Sequence, residues 1–132
     1  MALTLDIVTV VDSLGQGEYY HAQISGDVSA GVDTYSEWID LSGQNMGSVM
    51  CYATTEDTDK TITVSVEATN IVDADGNPLD ASAQEVLSLN GVGQEVITPP
   101  TLFTIPARWI RFKVSATGSY SIKIGVEAKK RS

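Results

Sequence analysis

Apolar residues recur at every second position over much of this chain. The period is clearest where Ile62, Val64, Val66 and Ala68 alternate with Thr61, Thr63, Ser65 and Glu67. It returns where Ile110, Phe112 and Val114 alternate with Arg111, Lys113 and Ser115, before Tyr120, Ile122, Ile124 and Val126 resume it. Successive side chains of a strand point to opposite faces, so this period gives each strand one buried and one wet face. Ala116-Thr117-Gly118-Ser119 between the last two runs predicts a reversal, and hence a hairpin with its apolar residues on one face and its charges on the other.

The same reading predicts strands at Leu5–Val11, Tyr19–Ile24, Glu37–Leu41 and Val49–Ala53, the first with apolar residues on both faces. Asp12–Gly17, Ser25–Tyr35, Ser42–Ser48 and Thr54–Lys60 read as turns and loops. Met46 and Met50 are expected to fill core gaps, the usual work of methionine. Ala81–Leu89 fits a short helix or a strand, and Asn90-Gly91-Val92-Gly93 ends it in either case. Gln94–Thr98 and Leu102–Ile105 are short strand pieces around Pro99-Pro100, which confine them to an edge or a crossover because proline cannot donate to a ladder. Turn residues recur roughly every 8 to 12 positions, the rhythm of a sandwich or barrel. The fold class is therefore all-β, a single-domain antiparallel β-sandwich of eight or nine short strands over residues 1–132, with a short basic tail from about 128.

Charge changes the picture more than composition does. Of the eight Lys and Arg residues, seven (Arg108, Arg111, Lys113, Lys123, Lys129, Lys130 and Arg131) fall after residue 107. Residues 1–107 carry about −15 and the remainder about +6, within a net charge of −9. Such a chain is repelled by nucleic-acid phosphates and anionic lipid, so neither nucleic acid nor membrane is an expected partner. The N-terminal residues lack the basic start of a signal peptide, which points to synthesis in a cytoplasm.

Candidate chemistry is thin. Cys51, the only cysteine, lies between Met50 and Tyr52 and reads as a small buried hydrophobe; His21, the only histidine, reads as a structural or surface residue without a base or acid partner. There is no zinc-type ligand set, phosphate loop or nucleophile elbow, and no enzyme activity or cofactor is expected. Asp73, Asp75, Asn77 and Asp80 place oxygens as a calcium loop does. Pro78 and Gln84 stand where a helix-loop-helix site needs Gly and Glu, and the segment reads as a turn.

The cations remain. A basic strand face carrying Trp109, Arg111 and Lys113, with Arg108, Lys123, Lys129, Lys130 and Arg131 around it, would meet acidic residues on neighbouring strands or on another copy of the chain. Opposed charge sets orientation and partner choice more than strength. On this reading Arg111→Glu with Lys113→Glu would abolish assembly and leave the fold.

The short-strand rhythm, the Glu37-Trp38-Ile39-Asp40-Leu41 strand and the Ala107-Arg108-Trp109-Ile110-Arg111-Phe112-Lys113 to Gly118 to Ile122 to Glu127 ending together resemble small jelly-roll proteins of tailed bacteriophages, most nearly capsid decoration (cement) proteins. The resemblance implies a jelly roll and a homo-oligomer, trimer or dimer, on the outer surface of a virion. There it would bridge neighbouring copies of a major capsid protein, with avidity from many symmetric sites. A tail or baseplate subunit would fit the same sequence. So would a glycan-binding sandwich, which shares the aromatic-Ile-Arg strand and would use Trp38, Trp109 and residues 73–80.

Overall fold

A strand whose inner face is Ile, Val and Phe must pair sideways for its backbone and stack face to face for its side chains. The computed structural model shows how this chain does both. It describes residues 4–11, 18–41, 46–105 and 107–129, with the backbone path alone for 4–11, 18–20 and 129. In chain order the described strands are β1 (Thr4–Val11), β2 (Glu18–Val28), β3 (Thr34–Tyr35), β4 (Ile39–Asp40), β5 (Met46–Thr54), β6 (Thr61–Thr69), β7 (Gln84–Val92), β8 (Glu95–Ile97), β9 (Thr101–Thr104), β10 (Trp109–Ala116) and β11 (Tyr120–Lys129).

The first sheet runs β1-β2-β11-β5, with β8 and β9 in succession along the far edge of β5. In the second, β3 and β4 share one edge of β10, followed by β6 and β7. Every pairing is antiparallel, and the chain changes sheet after β2, β4, β5, β7, β9 and β10, the winding of a jelly roll. Between the sheets lie Ile24, Val49, Cys51, Val64, Val66, Ile110, Phe112, Val114, Ile122, Ile124 and Val126, all fully buried. The alternation at 61–68 and 109–126 thus named the core side chains correctly.

It did not name the strands' neighbours. The expected 109–126 hairpin does not form: β10 pairs with β3, β4 and β6, whereas β11 pairs with β2 and β5. Thr117–Ser119 carries the chain across the core, and the two inner faces look at each other. Alternation requires a buried face, and a facing sheet buries it as well as a hairpin partner does. A consequence is that the cations of the two strands lie on opposite outsides of the sandwich. Arg111 and Lys113 are on the second sheet and Lys123 on the first.

Other boundaries move too. β2 continues to Val28, which is buried and pairs with Tyr120, so Ser25–Val28 is strand rather than loop. Glu37–Leu41 holds only the two-residue β4, which with β3 raises the strand number above eight or nine. Met46–Ser48 belongs to β5, and the flanking positions 42–45 lie outside the described residues. Met46 and Met50 sit half-buried on the outer face, because Gly47, Val49 and Cys51 take the inward parity. Ala81–Leu89 resolves into a 3-10 turn, Asp80–Ser82, and then strand β7, which runs through Asn90 and Gly91 to Val92.

The outer face of β6 is less wet than its pattern suggests, with Ser65 buried. β8 and β9 are edge pieces as the prolines required. β11 extends to Lys129, past the expected start of the tail. Lys130 and Arg131, the Asp12–Gly17 turn and the side chains of Leu5–Val11 lie outside what is described.

Candidate functional site

The sequence-predicted residues Arg108, Trp109, Arg111 and Lys113 do share one surface, the outer face of the second sheet. The local cause is a bulge. Asp40 and Ile39 pair with Trp109 and Ile110, and Tyr35 and Thr34 pair with Lys113 and Val114. Ser36 donates its backbone N–H to the Phe112 carbonyl and accepts from the Phe112 N–H through its hydroxyl, both at 2.9 Å. Glu37 and Trp38 are left opposite the single residue Arg111. Two residues against one re-aims a side chain, and here it turns Trp38 over Arg111.

The Arg111 guanidinium lies between two rings, 4.3 Å from the Tyr35 centroid and 4.7 Å from that of Trp38. Its Nε donates to Glu67 Oε1 at 2.8 Å, from the residue directly across on β6, and its Nη1 donates to Asp80 Oδ1 at 3.0 Å. The same Asp80 oxygen accepts from Trp38 Nε1 at 2.7 Å. Arg111 and Glu67 retain only 12% and 14% of their side-chain exposure. Planar fork, stacked rings and desolvated carboxylate are the setting in which arginine is not replaceable by lysine.

Around this clamp the other cations are also paired within the chain. Arg108 donates to both Asp40 oxygens, at 3.3 and 3.1 Å, and stacks 4.4 Å from the Trp109 centroid. Lys113 Nζ lies 3.6 Å from Asp33 Oδ2, and the Ser115 hydroxyl donates to Asp33 Oδ1 at 2.6 Å. The Ser115 bond first, and Lys113 after it, hold the Asp33 carboxyl below its ordinary value. A carboxyl whose folded value is depressed contributes above the ordinary aspartate range and loses that contribution as pH falls through the folded value. An NMR titration is expected to place the Asp33 midpoint below that of a model aspartate, and Ser115→Ala to move it upward.

Asp80 therefore belongs to the clamp and not to the calcium-like loop. Asp73 Oδ1 accepts the backbone N–H groups of Asp75 and Asn77, and Gly76 takes a positive φ of 84°, which is the wiring of a turn. Among the described residues no group of three or more His, Cys, Asp and Glu side chains stands close enough to hold a metal ion.

Cys51 is buried on the inner face of β5, and burial pushes its thiol up to about 11. It is expected to resist alkylation in the folded protein at pH 8 and to react at the rate of unfolding, which labelling against denaturant checks. His21 Nδ1 lies 3.6 Å from Glu127 Oε1, too long for a hydrogen bond.

Two features were not anticipated. An open cleft of about 600 Å³ at one end of the sandwich is lined by Asp27, Glu56 and Asp57 with the hydroxyls of Thr55, Ser119 and Ser121 among others. On the outer face of the first sheet, Tyr52, Ile97 and Leu102 lie exposed beside the half-buried Met50. Tyr35, Asp33, Asp40 and Glu67 were not foreseen as partners of these cations, because a periodic pattern gives the face a side chain takes, as it did for Glu67, and not its neighbours. Only the bulge and the strand register bring them to the arginines.

No protein-family model matches the chain, and no curated protein matches it. Among solved structures, one described as "CBM4 structure and function" is 13% identical over 96% of this chain and 78% of its own, at a TM-score of 0.46. Another, peruvianin-I, a cysteine peptidase from Thevetia peruviana latex, is 17% identical over 98% of this chain and 63% of its own, at a TM-score of 0.39.

Proposed function

We propose that this protein is a non-catalytic structural subunit of a virion, a decoration or cement protein that lies on the outside of a phage capsid and bridges major capsid subunits. The observation that carries the reading is the outer face of the second sheet. It is a rigid aromatic surface of Tyr35, Trp38 and Trp109 on which Arg108, Arg111 and Lys113 each have a carboxylate partner in their own chain. A surface neutralised in this way can be covered by another protein without burying an unpaired charge, the main cost of a charged interface. Trp, Tyr and Arg are also the residues in which binding energy concentrates. The phage assignment itself rests on the resemblance of the Trp38 and Trp109 strands.

Copy number tests it. In purified particles a decoration subunit should stain in proportion to the major capsid protein, and a tail or baseplate subunit at a small fraction of that; absence from particles would sink the reading. Trp38→Ala and Trp109→Ala are each expected to weaken capsid binding by roughly 30-fold, about 2 kcal/mol, as measured by co-sedimentation with undecorated shells. The exposed Tyr35 ring beside the two half-buried tryptophans favours one second reading, a glycan-binding module, because such rings can stack on a sugar. A positive glycan screen lost on Trp109→Ala would turn the assignment that way.

A further inference from the structure

The strand register lays out the outer face of the first sheet in rows. His21, Glu127, Ser48 and Leu102 lie side by side across β2, β11, β5 and β9. Gln23, Gly125 and Met50 make the next outward row, and Ser25, Lys123, Tyr52 and Ile97 the one after it, ending on β8. Leu102 is 73% exposed, Ile97 60% and Tyr52 40%, so the β5 side of this face is apolar and open to water. Burying such a patch is favourable, and a patch of this kind on a sheet face marks a contact.

Gly125 stands at the centre of this layout without a reason inside its own chain. Its φ is not positive, and a Cβ there would meet only Met50 Cγ, at an ordinary 4.0 Å. Glycine weakens a strand interior and marks places where another backbone comes close. Gly47 and Gly91 each have a close neighbour within the chain, the Phe103 ring and the Val96 side chain, and Gly125 does not.

We infer that this face is a self-association surface, on which a second copy of the chain docks about a two-fold axis that lies in the contact plane, crosses the strands and passes over Gly125. An axis so placed reverses strand direction and stacks each strand on its own counterpart. Residues two before Gly125 then face residues two after it. Lys123 meets the partner's Glu127, Ile97 meets the partner's Leu102, and Met50 and Gly125 meet their own copies. The Lys123–Glu127 and Ile97–Leu102 contacts each occur twice, as an isologous interface requires. The choice of axis is not free: moving it two residues along β11 in either direction sets Lys123 on Lys123 or Glu127 on Glu127. A different protein laid on this face would need none of this internal symmetry.

Stacked sheets cross at about 30°, so the match is best near the axis, where these three rows lie. The six-stranded face, five strands wide, offers on the order of 700 Å² per copy from strand spacing and length, close to the roughly 800 Å² per partner of a specific interface.

The experiment uses the isolated full chain, so its outcome is separate from any result on particles. Sedimentation and light scattering are expected to show a dimer at low salt. Gly125→Val should leave the melting temperature unchanged or raise it, since valine suits a strand, and yield a monomer because the two side chains meet on the axis. Gly125→Ala, whose methyl fits inside the chain, should weaken the dimer at the same melting temperature. Lys123→Glu and Glu127→Lys should each raise Kd about tenfold, and the two together should restore it. A monomeric or trimeric wild type, a dimer indifferent to both Gly125 variants, or a double reversal no tighter than its singles would overturn the inference.

Discussion

Arg111→Ala is expected to destabilise the fold by about 3 kcal/mol and to lower Tm by on the order of 10 °C. The guanidinium is nearly buried, so its removal does more than delete a surface ion pair, which would cost about 1 kcal/mol or less. It leaves Glu67 desolvated without its cation across the β10–β6 ladder and Asp80 with Trp38 Nε1 alone, and it takes the filling out of the Tyr35–Trp38 stack. With the filling gone, the Ser36–Phe112 bonds and the flanking β3 and β4 pairings are what still tie segment 36–38 to β10 among the described residues. Arg111→Lys keeps the charge but neither the fork nor the flat stack, and is expected to recover less than half of the loss. Thermal unfolding of the three proteins decides it, and an alanine variant within 0.5 kcal/mol of the parent, roughly the scatter of a neutral surface change, would remove the clamp's structural role.

The same geometry corrects the charge-reversal test that the sequence suggests. Arg111→Glu would gather three carboxylates at one point, so lost assembly would report a damaged fold. Trp109, on the same face, is the cleaner probe of contact.

Gly91→Ala is expected to cost about 3 kcal/mol, the upper end for overpacking, although alanine is ordinarily harmless in a strand. A Cβ at position 91 would overlap Val96 Cγ1 and sit 2.9 Å from Val96 Cγ2. Val96 is itself buried on β8, just after the chain leaves β7 for the other sheet, so it has little room to retreat. The clash predicts its own remedy. Val96→Ala removes both offending methyls, and Gly91→Ala with Val96→Ala should be less destabilised than the sum of the two singles, a coupling that a double-mutant cycle in denaturant measures. Simple additivity would mean that the close approach is not what keeps glycine there.

These residues mark how far the sequence could be read. Period two alone named Ile62, Val64, Val66, Ile110, Phe112, Val114, Ile122, Ile124 and Val126 as core and the class as all-β, because side-chain parity is a local property of an extended backbone. It placed Trp109, Arg111 and Lys113 on one outer face for the same reason, and it marked residues 94–105 as an edge through proline's missing donor. What it could not read was pairing. Whether β10 meets β11 beside it or across the core depends on contacts between residues distant in sequence, and both arrangements satisfy the same alternation. The partners of Arg111 follow from that choice and from a two-residue bulge that no pattern announces. So does the gathering of Tyr52, Ile97, Leu102 and Gly125 on one sheet, from the four strands β5, β8, β9 and β11. Local sequence determined which way each side chain points, and only the tertiary structure decided what it points at, because direction is set by one residue's backbone and a neighbour by the closure of the whole sandwich.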